Sequence, residues 1–307
     1  MKILITGGTG FIGSHVVETL LRDGHTVKVL STSSSIHPNL KRVADQIEIL
    51  RGNFGNEVLM TNYLDQIDIL IHLAWTTVPK DASDNPIYDA QSNLVGGLHL
   101  LEACVKAKIK KLVFISTGGA LYGRPDYTPV DELHPLRPIS AYGISKMTFE
   151  RYLYFYYKNR GLDYTVLRLS NVYGPRQNLS KKQGVIGIWL DKIIRHEPIE
   201  IWGDGQVVRD YIHVNDVAEA LSLLLQYAGG YKIFNLGSGH GVSLNQILSI
   251  AKDLSDDPVK ISYLPSRSFD VKVNILDSSR ITEALNWKSQ ISLDAGIKTV
   301  WDWLKSK

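Results

Sequence analysis

The sequence has little cysteine and little excess charge, and it has no long hydrophobic run. Its one cysteine, Cys104, can form neither an internal disulfide nor a thiolate zinc site, so nothing requires an oxidising compartment. The 34 lysines and arginines nearly balance the 31 aspartates and glutamates, and the net charge of +3 argues against binding to duplex DNA or an anionic membrane. No stretch approaches the about 18 apolar residues of a membrane-spanning helix, and the N-terminal apolar run is too short for a signal peptide. We expect a cytoplasmic protein that binds neither nucleic acid nor membranes.

The first half of the chain alternates between short apolar runs and helix-length segments. The apolar runs predict strands at Ile3–Ile5, Thr26–Leu30, Ile47–Leu50, Ile67–His72, Lys111–Ser116 and Tyr164–Leu169. Helices are predicted between most of them, including Phe11–Arg22, Asn93–Ala107 and Ser145–Lys158. Strands that alternate with helices pair in parallel through right-handed crossovers. The fold class is therefore α/β, a doubly wound parallel sheet with helices on both faces.

The pattern loosens after Leu169, where segments rich in glycine and proline separate helical runs such as Asn215–Gln226 and Leu244–Leu254. We interpret this part as a smaller mixed α/β region. The predicted domains are residues 1–170 and residues 171–307, and part of 210–236 is expected to return to the first domain.

A glycine-rich turn joins the first predicted strand to the first predicted helix. Gly7, Gly10 and Gly13 have the spacing G-x-x-G-x-x-G, directly after Ile3–Ile5 and at the start of Phe11–Arg22. Glycine permits a tight turn and lets the backbone approach a pyrophosphate, which then lies against the amide-rich end of the helix. The motif predicts a dinucleotide-binding (Rossmann) domain in the first half of the chain.

A tyrosine and a lysine lie four residues apart around the start of the predicted helix that precedes the last strand of this region. Tyr142 and Lys146 therefore share one helix face. A nearby ammonium favours the phenolate and should lower the tyrosine pKa from about 10 toward the working pH. The pair predicts an acid/base centre.

Together these motifs resemble the extended short-chain dehydrogenase/reductases, and within them the nucleotide-sugar epimerase/dehydratase branch typified by UDP-glucose 4-epimerase. The resemblance covers essentially the whole chain. It rests on the glycine turn, the Tyr142/Lys146 pair and further segments at 116–123, 171–175, 203–217, 235–237 and 267–270.

The resemblance implies a role for each matching position. Tyr142 is the acid/base on the sugar hydroxyl or ketone, and Lys146 holds the nicotinamide ribose. The implied cofactor-binding residues are Gly7, Gly10, Phe11, Ile12 and Gly13 at the pyrophosphate, Leu73 and Ala74 along the cofactor, and Asn53 and Phe54 beside the adenine. The implied sugar-nucleotide residues are Asn171, Arg209, Arg267 and Asp270, with the arginines on the diphosphate. A forked guanidinium suits phosphate oxygens.

Two positions depart from the family pattern. The second strand ends in Ser31, where relatives that use NAD usually carry Asp on the ribose hydroxyls. A serine tolerates a 2′-phosphate, but no arginine adjoins it in sequence, so NAD is favoured and NADP stays open. The usual Ser or Thr four residues before Tyr122 is replaced by Gly118. The hydroxyl that orients the sugar is then supplied by Thr117, by Ser116 or by no side chain.

The resemblance favours a nucleotide-sugar 4-epimerase acting through a 4-keto intermediate, with a UDP-linked sugar as the expected substrate. The alternative is an NAD(P)H-dependent reductase of a 4-keto-6-deoxy nucleotide sugar, and a cofactor-binding protein without activity is disfavoured because both Tyr142 and Lys146 are present. The 4,6-dehydratases carry Asp-Glu where this chain has Gly119 and Ala120, which argues against dehydration. No histidine spacing indicates a metal site.

The aromatic run at 152–157 is too apolar for a solvated helix face. It belongs either to the core or to an oligomer surface, and the resemblance implies a homodimer built on this helix.

Overall fold

The computed structural model describes residues 1–33, 35–181, 183–266 and 271–307, which form two compact units. Unit 1 consists of Met1–Gly123, Pro135–Leu169 and Ala218–Phe234, and unit 2 of Arg124–His134, Ser170–Val217 and Asn235–Lys307. Segment Arg124–His134 lies in unit 2, although its place in the sequence predicts it in the first domain. The reason is backbone pairing, because Val130 donates to the Ile275 carbonyl (2.7 Å) and accepts from the Asp277 amide (2.8 Å).

The strands and helices of the described residues follow each other in this order. The strands are β1 (Lys2–Thr6), β2 (Thr26–Ser31), β3 (Ile47–Arg51), β4 (Ile69–His72), β5 (Lys111–Thr117), β6 (Tyr164–Leu169), β7 (Asn171–Tyr173), β8 (Ile199–Trp202), β9 (Val208–His213), β10 (Ile233–Leu236), β11 (Gly241–Ser243), β12 (Ile261–Leu264) and β13 (Val273–Asn274). The α-helices are α1 (Phe11–Arg22), α2 (Glu57–Tyr63), α3 (Pro79–Asp84), α4 (Pro86–Asp89), α5 (Gly96–Ala107), α6 (Gly118–Leu121), α7 (Ala141–Arg160), α8 (Val185–Ile194), α9 (Val214–Leu224), α10 (Leu244–Asp253), α11 (Ser279–Leu285) and α12 (Leu293–Lys305). Short 3₁₀ segments occupy Pro38–Gln46 and Leu179–Lys181, and a π-helix, Ala90–Val95, leads into α5.

The large sheet has seven strands within the described residues, in the order β10-β6-β5-β4-β1-β2-β3. The pairs from β3 to β6 are all parallel. Ile3, Leu4 and Ile5 of β1 are fully buried, as expected of a central strand covered on both faces. The doubly wound parallel sheet predicted from the sequence is confirmed.

Helix α7 has a clear start and a clear stop. The Ser140 side chain accepts a hydrogen bond from the Gly143 amide at the first turn (3.2 Å), and Gly161 ends the helix with a left-handed φ of 70°. The helix begins four residues earlier than the sequence predicted. Tyr142 and Lys146 therefore lie in its first turns.

Unit 2 contains two small sheets in its described residues. In one, β9 pairs with β7, β11 and β13, and in the other β8 pairs with β12. Helices α8, α10 and α12 contribute a separate apolar core that includes Trp189, Ile247 and Trp301. No helix of the described chain is both long enough and apolar enough to cross a membrane.

Candidate active site

The glycine turn of unit 1 is packed so tightly that two of its glycines have no room for a side chain. Gly7 has a left-handed φ of 76°, and a Cβ there would lie 2.7 Å from the Ala74 amide nitrogen. A Cβ at Gly13 would lie 2.2 Å from the Gly7 carbonyl oxygen. At Gly10 the same test finds the Gly7 oxygen at 3.3 Å. The turn thus brings the end of β1, the start of α1 and the segment after β4 into backbone contact.

The N-terminus of α1 is open to an anion. Gly10 is the N-cap, and no side chain of the described residues accepts a hydrogen bond from the first turn, which also lacks an acidic residue. The amides of Phe11, Ile12 and Gly13 have no carbonyl one turn earlier to bind. Their arrangement fits a diphosphate group.

The segment after β4 is fixed by a buried hydroxyl–imidazole pair. The Thr6 hydroxyl lies 2.7 Å from His72 Nδ1 and accepts from the Ala74 amide at 3.4 Å. Burial lowers the pKa of His72 to about 3, with a further contribution from Lys146, so its imidazole is neutral. This contact holds Leu73 and Ala74 beside the glycine turn.

An arginine that is distant in sequence lies beside Ser31. Ser31 ends β2 and is the register partner of Arg51 at the end of β3, so two residues twenty positions apart stand side by side. Asn53 is exposed and its side chain accepts from the Gly55 amide (2.8 Å), whereas Phe54 is buried against His72. The missed residue is Arg51, and only the strand register could have revealed it.

Lys146 points inward in this structure. It is 3% exposed, donates from Nζ to the Ile115 carbonyl (2.7 Å), and lies 3.9 Å from the centre of the Trp75 ring. Burial lowers its pKa to about 7, against the opposing effects of Glu150 and Asp89.

The environment of Tyr142 corrects one expectation. Its ring meets the edge of Trp75, and burial raises the pKa of its hydroxyl above 10, with a further increase from Asp89. The lowered tyrosine pKa expected from Lys146 is absent, because burial and the Asp89 charge both act against the phenolate although the amine lies 5.7 Å from the centre of the Tyr142 ring.

The two candidate hydroxyls at the end of β5 face different surroundings. Ser116 is buried and donates to Glu150 (2.6 Å), so the structure does not offer it to a sugar. Thr117 is half-buried, and its oxygen accepts from the Ala120 amide (3.3 Å) at the start of α6. Helix α6 in turn meets the first turn of α7, since a Cβ at Gly143 would lie 2.6 Å from the Ala120 carbonyl.

A buried ion pair beneath these helices was not predicted from the sequence. The Arg168 guanidinium binds Glu150 (2.6 Å), with both side chains 3% exposed, and also donates to the Tyr122 hydroxyl (3.0 Å). Ser116 supplies a further donor to the same carboxylate. The network joins β5, β6 and α7 in unit 1.

The predicted sugar-nucleotide residues that the structure describes lie in unit 2. Asn171 on β7 donates to the Asp210 carbonyl (3.0 Å), and Arg209 on β9 donates to the Val208 carbonyl (2.9 Å). Asn274 on β13 is the register partner of Arg209, and its buried Nδ2 has no hydrogen-bond partner within the described residues. Arg267 and Asp270, the other two predicted positions, lie outside the described residues.

Comparisons with known proteins agree with this geometry. The model of the "NAD dependent epimerase/dehydratase family" matches residues 3–237. A UDP-glucose 4-epimerase of Mycolicibacterium smegmatis is 34% identical, over 100% of this chain and 99% of the relative.

Two solved structures are also similar over nearly their whole length. The UDP-glucose 4-epimerase of Thermotoga maritima, solved with UDP-glucose, has a TM-score of 0.91 and 38% identity over 100% of this chain and 99% of its own. The UDP-glucose 4-epimerase of Thermus thermophilus, solved with NAD, has a TM-score of 0.90 and 34% identity over 99% of each chain. This chain belongs to the NAD dependent epimerase/dehydratase family.

Proposed function

We propose that the chain is a nucleotide-sugar 4-epimerase of the UDP-glucose 4-epimerase type that uses bound NAD. One observation carries the proposal. Tyr142 and Lys146, in the first turns of α7, belong to the same unit as the open N-terminus of α1. Family membership and the relatives named above support it. An acid/base tyrosine and an anion-binding helix end are the two parts that reversible oxidation of a nucleotide sugar requires of the protein.

The glycine turn and the segment after β4 would hold the cofactor. The amides of Phe11, Ile12 and Gly13 would bind its diphosphate, and Leu73 and Ala74 would lie along it. Lys146 would turn from the Ile115 carbonyl to the ribose hydroxyls. When bound, NAD would supply the site with a reversible hydride acceptor.

Tyr142 would move the proton. Its phenolate, which the Lys146 ammonium would favour once the amine has turned from the Ile115 carbonyl, would accept the proton of the 4-hydroxyl as the sugar is oxidised. The resulting phenol would return that proton as the ketone is reduced. Thr117 would orient the 4-hydroxyl, because Ser116 is engaged with Glu150. Gly119 and Ala120 carry no titratable group, so the loss of water that defines the dehydratases has no acid here.

The substrate would be a UDP-linked hexose. Asn171, Arg209, Arg267 and Asp270 are proposed to bind its nucleotide, in line with the family pattern. Trp75 is proposed to border the sugar site, because its ring contacts Tyr142.

We also propose a homodimer, with the cytoplasm as its place of action. Tyr152, Tyr154 and Phe155 leave 38%, 53% and 50% of their surface exposed on α7, which is more apolar surface than a solvated helix face needs. Tyr156 of the same run is buried in the core.

The decisive experiment adds UDP-glucose to the purified protein without any cofactor in the buffer. Formation of UDP-galactose, together with NAD released on denaturation, is expected of the epimerase. Stoichiometric consumption of NADPH by a 4-keto-6-deoxy nucleotide sugar, without epimerisation, would instead establish the reductase alternative. Tyr142→Phe is the matched control, since it keeps the ring and removes the hydroxyl.

A further inference from the structure

A fully buried carboxylate lies beside α7 and belongs to none of the predicted site residues. Asp89 ends α4, directly before the π-helix Ala90–Val95, and none of its surface is exposed. Burying an ionised carboxylate is costly unless donors surround it. The complete burial of Asp89 therefore requires hydrogen-bond donors around its carboxylate.

Three donors from three segments of unit 1 converge on this carboxylate. The Thr77 hydroxyl, from the segment after β4, and the Asn93 amide (2.9 Å), from the π-helix, donate to Oδ1. The Ser145 hydroxyl, from α7, donates to Oδ2. With donors on both oxygens, the arrangement fits the ionised form.

The Asn93 side chain extends the same network to a backbone amide. Its Oδ1 accepts from the Thr76 amide (2.9 Å), so the π-helix is tied to the segment after β4. Because Ser145 directly precedes Lys146 and lies three residues after Tyr142, the network ends inside the helical turn that carries both groups.

Charge acts alongside these hydrogen bonds. The titratable groups around Lys146 are Asp89 on α4, Glu150 and Tyr142 on α7, and the neutral His72 at the end of β4. The negative charge of Asp89 raises the pKa of both Tyr142 and Lys146. The two acids differ in their partners. Glu150 is paired with the Arg168 cation, whereas the hydrogen-bond donors to Asp89 in the described structure are all uncharged.

We propose that Asp89 is a positioning residue for the epimerase reaction, an inference that rests on the proposed function. Its buried carboxylate anchors the first turns of α7, through Ser145, to the segment after β4 and to the π-helix. It also supplies a negative charge that both Tyr142 and Lys146 sense. The Asp89 carboxylate contacts neither the Tyr142 hydroxyl nor the Lys146 amine. It acts on them through the position of the α7 backbone and through its electrostatic field.

The test compares Asp89→Asn, Ser145→Ala and a matched control, Asp84→Asn. Asp89→Asn keeps the shape and removes the charge, Ser145→Ala keeps the charge and removes one donor, and Asp84→Asn makes the same chemical change at an exposed position on α3. Three readouts are needed for each variant: kcat and KM for UDP-glucose, the pH profile of kcat, and hydrogen exchange of the amides at 141–146.

Both Asp89→Asn and Ser145→Ala should lower kcat by about tenfold or more, with a smaller change in KM, since a small displacement of a reacting group is costly. Both should also speed exchange at 141–146. Only Asp89→Asn should move the pH profile, and the shift is toward lower pH, because losing the nearby negative charge lowers the pKa of Tyr142. Asp84→Asn should match the wild type in every readout.

Two results would overturn the proposal: wild-type kcat and exchange in Asp89→Asn, or a fall in kcat with an unmoved pH profile, which indicates a merely structural effect. If Asp89→Asn does not fold, wild-type kcat and exchange in Ser145→Ala would overturn it. Absence of UDP-glucose turnover in the wild type would refute the proposed function instead, and hydrogen exchange would still test the anchor.

Discussion

Replacement of Gly13 by alanine tests whether the glycine turn binds the cofactor. The new Cβ would lie 2.2 Å from the Gly7 carbonyl oxygen and 2.7 Å from the Gly8 Cα, while ordinary contact begins near 3.4 Å. Both obstacles are backbone atoms, so no side chain can rotate away. The start of α1 must move by about 1 Å relative to the turn, a consequence of close packing.

The size of the effect follows from the groups that would move. Crowding of this kind costs about 1–3 kcal/mol of folding free energy, and alanine recovers about 1 kcal/mol of it as a better helix former. The expected loss of stability is therefore small. A hydrogen bond to a charged group contributes about 1.5–3 kcal/mol, so displacing one first-turn amide from the diphosphate should weaken NAD binding by about 10- to 150-fold.

The assay is calorimetric titration of NAD into protein freed of cofactor, with thermal unfolding as the folding control. Gly10→Ala is the matched variant, because its Cβ meets one atom at 3.3 Å and its φ of −74° suits alanine. Gly10→Ala should retain much more of the affinity. A Gly13→Ala protein that binds NAD as tightly as the wild type would refute a cofactor role for this turn.

The remaining predictions concern single side chains of unit 1. Tyr142→Phe should lower kcat by about 10²–10⁴-fold with NAD binding unchanged by calorimetry, and wild-type turnover would contradict the proton-transfer role. Thr117→Val should slow turnover by about 2- to 12-fold, the value of one hydrogen bond, whereas Ser116→Ala should lower Tm and spare turnover; the reverse pattern would exchange their roles. Arg51→Ala should weaken NADP binding more than NAD binding, and equal losses would exclude a contact with the 2′-phosphate. The folded-state pKa of Lys146, about 7, lies below its unfolded value of 10.5, so the unfolded chain binds more protons between these pH values and stability rises with pH there. Lys146→Met should remove this rise in urea unfolding, and an unchanged slope would contradict the burial argument.

Local patterns were enough to predict the parallel sheet and the Rossmann class. Apolar runs such as Ile3–Ile5 mark strands whatever follows them, and two glycines of the first turn, Gly10 and Gly13, are required by contacts with residues only a few positions away. Helix α7 was predicted with a late start, because Gly143 weakens a helical pattern that the Ser140 cap in fact begins.

Side-chain direction and register could not be predicted in the same way. Ser31 and Arg51 are neighbours only because β2 and β3 pair in one particular register. Lys146 lies near the Tyr142 ring as expected, but its closer contacts are with the ring of Trp75 and a carbonyl from β5, which helix spacing alone does not predict. Asp89 carries no motif, and its importance depends on donors that come from distant parts of the chain.

Strand β10 pairs with β6 in the large sheet but is synthesised long after it. Strand β6, with all six residues buried, acquires its outer neighbour only after the 63 residues between Leu169 and Ile233 have been made. At roughly 5–20 residues per second, this interval lasts about 3–13 s on the ribosome. During that time β6 is an apolar edge with unpaired backbone groups, the kind of surface that recruits other strands. Nascent chains that stop between these strands should therefore be the most aggregation-prone and the most dependent on chaperones.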